Sequence, residues 1–350
     1  MAETGDLEAR GHVVTVLGPV APAALGPTLL HEHLLCDLTP PATRDLDLPQ
    51  AEITLETVFD FGYRPGHHHG NHRLRDVGRA AREATLFREA GGGTIVDVTT
   101  GGIRPDPQGL VAIAQASGIH VVMGAGFYTE PYLDPETLAL PTEALTEIVV
   151  GQVERGAWGT AVRCGIIGEI GCSWPLTPFE ARSLRAAARA QAATGAAITI
   201  HPGRDRVAPF EILDILEAEG ADPGRVVVGH MDRTLLDVAD VIALARRGAV
   251  VEYDFFGIEH SNYWLGILDI PNDWMRIRAI RALFEAGLGD RVAISHDICT
   301  RSRLRSLGGH GYGHILSNAV PLMRDRGFVQ AEIDRMLVDT PRRLLTIGAS

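Results

Sequence analysis

The sequence has few cysteines, and they form no metal-binding or redox motif. Its 350 residues contain four cysteines, and no two of them have the spacing of a CxxC motif. Scattered cysteines in a chain of this length are typical of reduced, buried thiols in a cytoplasmic protein. The acidic N-terminal residues lack the apolar segment of a secretory signal, which also favours a cytoplasmic location.

Long apolar runs, basic clusters and phosphate-binding loops are missing as well. No apolar segment reaches the ~18 residues of a membrane-spanning helix. The net charge is −12 without a basic run, which argues against nucleic acid or an anionic membrane as a partner. No phosphate loop or GxGxxG follows the first predicted strand, so a nucleotide-binding doubly wound sheet is disfavoured.

What the sequence does contain is an alternation of apolar segments with segments of helical periodicity. The predicted strands are 28–35, 94–98, 120–127, 164–171, 197–201, 225–230, 249–254 and 291–297. The predicted helices are 76–90, 107–117, 142–156, 178–194, 209–219, 234–247, 274–287 and two more near 313–326 and 329–338. Near-continuous apolar strands separated by helices indicate a parallel sheet. Eight such units predict a single-domain (β/α)8 TIM barrel.

Two segments fall outside this alternation. Residues 13–20 alternate weakly around Gly18-Pro19, which predicts a small hairpin in an N-terminal segment (1–27) before a barrel of residues 28–350. Residues 37–75 are irregular and include the histidine-rich tract from His67 to His72. We interpret this tract as a loop near the mouth of the barrel without a catalytic role.

Metal-ligating side chains recur at the ends of the predicted strands. His31 and His33 are two residues apart on the first strand, so both side chains point to the same face. Later strands carry Glu169 (fourth), His201 (fifth), His230 (sixth) and Asp297 (eighth). The C-terminal ends of barrel strands surround one mouth, where active sites lie. We therefore expect these six side chains to converge there.

Six nitrogen and oxygen ligands exceed the needs of one zinc ion, so the sequence predicts a binuclear centre. We expect Glu169 to bridge two divalent ions, the first held by His31, His33 and Asp297 and the second by His201 and His230. Imidazole and carboxylate ligands favour Zn²⁺, with Mn²⁺ or Co²⁺ as alternatives. A hydroxide between the ions would be the nucleophile, and Asp297 would orient it and take its proton.

The order of these motifs resembles the phosphotriesterase family of the amidohydrolase superfamily. His-x-His, an acid on the fourth strand, His-Pro-Gly, Gly-His and Ser-His-Asp follow one another as in that family. The sequence is most similar to the phosphotriesterase-related proteins, in the stretches 164–176, 201–204, 252–254 and 308–312. The resemblance covers residues 14 to 346 and implies the barrel fold, a binuclear and commonly zinc-containing site, and a homodimer.

Differences from the true phosphotriesterases bear on the substrate. Where those enzymes and many lactonases have a carboxylated lysine as the bridge, this chain has Glu169, as in the related-protein branch. The family's proton relay uses a second acid and a histidine, whose positions correspond to Arg233 and Phe255. Organophosphate hydrolysis is therefore disfavoured. The resemblance implies hydrolysis of a small carboxyl ester, lactone or amide, with N-acyl amino acids and N-acyl taurines among the candidate substrates.

Further side chains near the strand ends are candidates for substrate contact. Tyr128 matches a family tyrosine that contacts the bridging oxygen in lactonases, and its hydroxyl could polarise a substrate carbonyl. Three arginines could bind a carboxylate or sulfonate of the substrate, namely Arg204, Arg301 and Arg303. Glu32 and His296 alternate with ligands along their strands, so we expect them to face outward and to support the site by hydrogen bonds.

Two other functions stay open from the sequence. The barrel could bind a hydrophobic small molecule without converting it, or it could hydrolyse organophosphate triesters. The presence of Asp297 beside all four histidines favours an enzyme, because binding alone does not need a proton-accepting acid. The sequence thus predicts a cytoplasmic, metal-dependent hydrolase with a small-molecule substrate.

Overall fold

The computed structural model describes residues 10–348, with gaps at 45, 261, 264 and 266–268. Its strands are β1 (Val13–Thr15), β2 (Gly18–Val20), β3 (Thr28–Glu32), β4 (Cys36–Asp37), β5 (Arg73–Leu74), β6 (Thr94–Asp97), β7 (His120–Ala125), β8 (Ile166–Gly171), β9 (Ile198–His201), β10 (Val226–Val228), β11 (Val250–Tyr253) and β12 (Val292–Ile294). Eight of them form one parallel sheet in the order β12-β11-β10-β9-β8-β7-β6-β3. This order follows the chain, as the predicted barrel requires.

The sheet closes between its last and first strands. The Asp297 N–H donates to the His31 carbonyl at 3.2 Å, and the His31 N–H donates to Ser295 Oγ at 3.0 Å. On the outer side of the same seam, Glu32 accepts hydrogen bonds from the backbone N–H groups of His296 and Ile298 at 2.8 and 3.0 Å. The fold is therefore a (β/α)8 barrel, and the prediction is confirmed.

Helices cover the outside of the barrel. They are α1 (Val58–Tyr63), α2 (Val77–Glu89), α3 (Pro107–Ser117), α4 (Pro135–Leu138), α5 (Thr142–Glu154), α6 (Pro178–Thr194), α7 (Ala208–Ala218), α8 (Met231–Thr234), α9 (Val238–Arg246), α10 (Asp273–Glu285), α11 (Val320–Asp325), α12 (Gln330–Asp334) and α13 (Thr340–Leu345). Their apolar faces pack on the strands in one large core, in which Phe87 of α2, Leu184 of α6 and Ile280 of α10 are fully buried. None of the helices in the described ranges is long and apolar enough to cross a membrane.

A second, smaller core lies inside the barrel. It consists of strand side chains such as Leu30, Val122 and Val227, which pack with Leu345 of α13 and Val13 of the hairpin. These residues precede the strand ends in sequence, so they fill the part of the barrel below the predicted ligands. The apolar floor leaves only the C-terminal mouth for polar groups.

The N-terminal hairpin is confirmed, whereas the predicted irregular segment contains regular structure. β1 and β2 pair antiparallel, with Val13 opposite Val20. Residues 37–75 contain α1 and the antiparallel β4-β5 pair. These elements are too short to leave a periodic signal in the sequence.

Two helix predictions needed correction. The helix predicted over 234–247 begins at Val238, because Asp237 caps it by accepting a hydrogen bond from the Ala239 N–H at 2.9 Å, and the separate short helix α8 precedes it. At the C-terminus, helical structure continues to Leu345 rather than ending near 338. Wide π-helical turns at 315–319 and 335–339 lie directly before the segments that hold Pro321 and Pro341. Such turns let a helix accommodate prolines, which lack an N–H donor.

Candidate metal centre

The six predicted ligands lie together around Glu169 at the C-terminal mouth. Glu169 Oε2 is 3.3 Å from His31 Nε2, 3.0 Å from His201 Nδ1 and 3.7 Å from His230 Nε2. Its other oxygen, Oε1, is 3.3 Å from His33 Nε2. All six side chains are buried, with no more than 8% of any residue exposed. The carboxylate of Glu169 thus faces both histidine pairs at once, as a bridging group must.

Irregular backbone at the strand ends directs these side chains into the mouth. β3 and β8 both shift register at their ligand positions, between Leu29 and Glu32 and between Ile167 and Ile170. Such bulges are common beside active sites because they re-aim a side chain. His230 and Asp297 have left-handed backbone conformations, with φ of 58° and 50°. This conformation costs a non-glycine residue roughly 1–2 kcal/mol, which hydrogen bonds to the two backbone N–H groups help to offset.

Asp297 completes the half of the site formed by the first strand. Its Oδ1 lies 3.4 Å from His33 Nε2 and 3.9 Å from His31 Nε2. Burial opposes its ionisation, but the contact with His33 and the nearby imidazoles lower its pKa to about 2. Burial likewise disfavours a charged His33, yet Asp297 and Glu169 raise its pKa to about 10. The two carboxylates therefore attract positive charge to the position where a cation would lie.

Neighbouring groups fix the nitrogen that two of the four histidines, His230 and His33, can offer. His230 Nδ1 is 2.9 Å from Asp254 Oδ1, and His33 Nδ1 is 2.9 Å from Thr99 Oγ1. In both cases Nε2 is left facing Glu169, which is the arrangement of metal-binding histidines whose second nitrogen is held by an outer partner. The Tyr312 hydroxyl donates to the His33 carbonyl at 2.7 Å and holds the backbone of this ligand.

His31 provides the clearest test of whether the residues fit a metal ion. Within the described residues, neither of its ring nitrogens makes a hydrogen bond, although the side chain is fully buried. The nearest groups are the carboxylates of Glu169, 3.3 Å from Nε2, and Asp254, 3.5 Å from Nδ1. A buried polar atom without a hydrogen bond is costly unless an ion or water completes it. The described residues contain three groups of nitrogen and oxygen atoms close enough to share an ion, and His31 belongs to all of them. The donor set therefore fits divalent metal ions.

A cavity of about 540 Å³ opens above these ligands. Three predicted substrate-contact residues line it, namely Tyr128, Arg204 and Arg303. Burial raises the pKa of the Tyr128 hydroxyl, so this group stays a hydrogen-bond donor beside the His201 ring, 5.1 Å between ring centroids. His72, at the end of the histidine-rich tract, also lines the cavity, which agrees with a loop near the mouth.

The structure does not bring Arg301 into this cavity. Its backbone N–H donates to the Asn71 carbonyl at 2.8 Å, and its guanidinium donates to the Ala51 carbonyl at 3.4 Å. Arg301 lines a separate cavity that also contains Arg75 and Arg79. The substrate-binding role expected for Arg301 is thus without structural support, because the short turn Arg301–Arg303 sends its two arginines in different directions.

Glu32 and His296 occupy the outer side of the barrel, as expected from strand alternation. His296 Nδ1 is 2.7 Å from Glu32 Oε1, and both residues are fully buried. Burial raises the pKa of Glu32 to about 8, although backbone N–H groups of Ile298 and His296 oppose this shift. The pair therefore supports the strands that carry His31 and Asp297 from behind.

Sequence reasoning missed several residues that complete the site. Asp254 orients His230, and Arg233 lies with Nη2 3.2 Å from His201 Nε2. Tyr263 accepts a hydrogen bond from Arg204 Nε at 3.0 Å. Of these residues only Asp254 could have been found from the sequence, because it ends an apolar strand as the ligands do. The sequence shows Arg233 only as the replacement of a relay acid, because the direction of its side chain depends on the short helix α8.

Comparisons with known proteins agree with this architecture. A model of the phosphotriesterase family matches residues 11–345. The N-acetyltaurine hydrolase of Danio rerio is 43% identical over 97% of this chain and 99% of its own length. That of Homo sapiens is 43% identical over 96% and 98%.

Solved structures of similar proteins share the fold along nearly the whole chain. A resiniferatoxin-binding protein from Rhodobacter sphaeroides superposes with a TM-score of 0.90 at 35% identity, covering 96% of each chain. A lactonase from Listeria monocytogenes has a TM-score of 0.79 at 27% identity, covering 96% of this chain and 99% of that one.

Proposed function

Because this chain belongs to the phosphotriesterase family and is a hydrolase, we propose that it cleaves the amide bond of a small N-acyl amino sulfonate or N-acyl amino acid with the help of two divalent metal ions. The observation that carries the proposal is the convergence of four imidazoles and the Asp297 carboxylate on Glu169 at the base of one cavity. The substrate class is suggested by the N-acetyltaurine hydrolases, which match this chain from end to end.

The ligand set divides between two ions. One ion would be held by His31, His33 and Asp297, the other by His201 and His230, with Glu169 shared between them. We propose Zn²⁺ first, because imidazole and carboxylate donors suit it, with Mn²⁺ or Co²⁺ as alternatives. When bound, two such ions make water acidic enough to act as a nucleophile near neutral pH and polarise a carbonyl.

Asp297 and Tyr128 are the residues that we expect to act on the reacting atoms. Asp297 has a low pKa and lies at the cavity wall, so at neutral pH its carboxylate can accept the proton of the attacking water and pass it to the leaving nitrogen. The protonated hydroxyl of Tyr128 can donate to the carbonyl oxygen as negative charge develops there.

Arg204 and Arg303 line the cavity and are proposed to contact the substrate. Arg204 donates to Tyr263 through Nε, which leaves its two terminal nitrogens available. Arg303 donates to the Asp297 carbonyl oxygen and stacks over Phe255, 5.6 Å from the ring centroid. The proposal also includes a homodimer in the cytoplasm, which the family resemblance and the scattered cysteines support.

A hydrolysis screen tests this function. Protein loaded with zinc or manganese would be assayed on N-acyl taurines, N-acyl amino acids, lactones and phosphotriesters, with Asp297→Asn as the control. We expect turnover of an N-acyl compound that Asp297→Asn removes. Turnover that survives in Asp297→Asn would overturn the mechanism, and turnover of another class alone would overturn the substrate proposal.

A second candidate function is the binding of a hydrophobic small molecule without turnover. It is favoured by the likeness to a protein that binds resiniferatoxin. Retention of substrate in complex, with no product from any of the four classes, would support it. Phosphotriesterase activity is less well supported, because Arg233 and Phe255 stand where the family's relay has an acid and a histidine.

A further inference from the structure

Arg233 is a buried cation on the wall of the active-site cavity. Only 3% of the residue is exposed, and it lines the cavity beside His201 and His230. Its guanidinium donates to the Pro202 carbonyl at 3.0 Å and to Thr234 Oγ1 at 3.1 Å, and its Nη2 is 3.2 Å from His201 Nε2. The carbonyl, the hydroxyl and the imidazole are all uncharged groups, and among the described residues no carboxylate lies within ion-pair distance of Arg233. A buried charge without a counter-ion is costly, so the cavity calls for an anion.

A second arginine at the same wall adds to this charge. Arg204 lines the cavity and also has no carboxylate partner in the described part of the chain; its Nε donates to Tyr263. Arg303 differs, because its Nη1 is 3.8 Å from Asp297 Oδ2. Two divalent ions would add four positive charges to those of Arg233 and Arg204, against the carboxylates of Glu169 and Asp297 at the ions and of Asp254 behind His230. The loaded cavity would therefore be positive, and most so beside Arg233 and Arg204.

The position of His201 points to the same kind of ligand. His201 turns Nδ1 toward Glu169 at 3.0 Å and Nε2 toward Arg233. When Nδ1 serves as a metal ligand, a neutral imidazole carries its proton on Nε2. The Nε2–H and the Arg233 N–H are then two donors that face each other without an acceptor. An anionic oxygen placed beside them would accept from both.

We infer that Arg233 and Arg204 form an anion-binding subsite that receives the negatively charged end of the leaving amine. The subsite would make the enzyme select N-acyl amino sulfonates or N-acyl amino carboxylates over neutral amides of the same size. This inference rests on the proposed function and deepens it, since it assigns the substrate's charge to particular side chains. It also gives Arg233 a task at the position where the family's relay has an acid.

Three matched amides test the subsite. N-acetyltaurine carries a sulfonate, N-acetyl-β-alanine carries a carboxylate, and N-acetyl-β-alaninamide has an uncharged terminal group of the same size; release of acetate is measured for all three. The quantity measured is the ratio of kcat/KM for each charged amide to that for the neutral one. We expect wild type to prefer one charged amide and Arg233→Gln to reduce that ratio by about 10- to 100-fold, the size of a lost charged hydrogen bond. Which charged amide wins identifies the anion.

Controls separate recognition from a general loss of function. Arg206→Gln is the matched control, because Arg206 lies in the same loop as Arg204 but pairs with Asp240 at the surface. If Arg233 only positions His201, Arg233→Gln lowers kcat/KM for all three amides equally and the ratio stays constant, which overturns its role. The melting curve shows whether Arg233→Gln folds. If it does not, Arg204→Gln is tested instead, because Arg204 is exposed. This variant must then lower the ratio of kcat/KM for the charged amide to that for the neutral one.

Failure of the proposed function is distinguishable from failure of the subsite. If metal-loaded wild type hydrolyses none of the amides, the proposed function fails. The subsite is then tested separately, by calorimetric titration of the protein with N-acetyltaurine and with N-acetyl-β-alanine. Binding of either anion that weakens in Arg204→Gln supports the subsite, and absence of binding to wild type overturns it. Equal kcat/KM for charged and neutral amides in wild type also overturns it.

Discussion

Replacing Asp254 by asparagine should weaken one of the two metal positions through the tautomer of His230. Asp254 accepts two hydrogen bonds from this ligand, with Oδ2 2.8 Å from its backbone N–H and Oδ1 2.9 Å from Nδ1. An asparagine offers one acceptor oxygen for these two donors. If the asparagine oxygen accepts the hydrogen bond of the backbone N–H, its NH₂ group faces Nδ1. Nδ1 must then accept a hydrogen bond, so the imidazole carries its proton on Nε2. Nε2 is the atom that faces Glu169, so His230 could no longer offer a lone pair there.

The expected loss of metal affinity in Asp254→Asn depends on how many ligands the substitution affects. The hydrogen bonds of one ligand are altered. Of the first ion's histidines, His33 keeps its contact with Thr99, and His31 loses no hydrogen bond, although its Nδ1 lies 3.5 Å from Asp254 Oδ2. Loss of an outer hydrogen-bond partner typically costs 10- to 100-fold in metal affinity, which corresponds to about 1.4–2.7 kcal/mol. The rest of the surroundings should hold, because the Asp254 N–H still donates to Asp232 Oδ2 at 2.9 Å and Asp232 still pairs with Arg276.

Competition with a chromophoric chelator measures this difference. Wild type should release two zinc ions per chain at similar chelator concentrations, whereas Asp254→Asn should release one ion at a 10- to 100-fold lower concentration and the other unchanged. Asp240→Asn serves as the control, because Asp240 is paired with Arg206 away from the site. Two unaltered affinities in Asp254→Asn would refute the tautomer argument, and equal weakening of both ions would show that His230 is not confined to one of them.

Four further outcomes follow from the same geometry. Asp297→Asn should lower kcat by roughly 10²- to 10⁴-fold in steady-state assays, because its carboxylate is the proposed proton acceptor; an unchanged kcat would remove that role. Glu32→Ala leaves three buried donors on His296 and Ile298 without an acceptor, so urea unfolding should show a loss of about 3 kcal/mol, restored only in part in Glu32→Gln, whose single amide oxygen can accept from His296 but not also from Ile298. Arg301→Gln should leave kcat/KM unchanged, because Arg301 lines a separate cavity; a clear fall in kcat/KM would show that Arg301 contacts the substrate. Removal of metal by a chelator should abolish hydrolysis and lower the melting temperature, and zinc or manganese should restore both; activity in metal-free protein would contradict the metal centre.

The barrel was predictable because its strands and helices alternate without interruption. Each strand of the eight-stranded sheet is an apolar run buried on both faces, and the longer helices between these strands, such as α2 and α6, show their own period. The ligands were predictable for a related reason, since a histidine or acid that ends such a run is a conspicuous exception. Short elements carry no such signal, so α1 and the β4-β5 pair could not be seen in the segment 37–75.

The direction of side chains in loops was the part that could not be predicted. Arg301 and Arg303 are two residues apart in one tight turn, yet only Arg303 reaches the active-site cavity. The pairing of Asp254 with His230 joins residues 24 positions apart on adjacent strands. Alternation along the strand predicts that Glu252 and Asp254 point to the same face. It does not predict which residues they contact, because this depends on the register of β10 against β11.

The seam of the barrel and the metal centre depend on one another. The first strand provides His31 and His33, the last strand leads to Asp297, and these three are the proposed ligands of one ion. The same two strands are joined by the hydrogen bond from the Asp297 N–H to the His31 carbonyl and, on the outside, by Glu32. An ion held here would link the beginning of the barrel to its end, because its ligands His31 and Asp297 are 266 positions apart in the chain. A metal ion that binds the closed barrel but not the unfolded chain stabilises the closed barrel by mass action. The metal would therefore raise the free energy of unfolding as well as take part in the chemistry. Conversely, a change that opens the seam would separate Asp297 from His33 and so remove the ligand set of this ion.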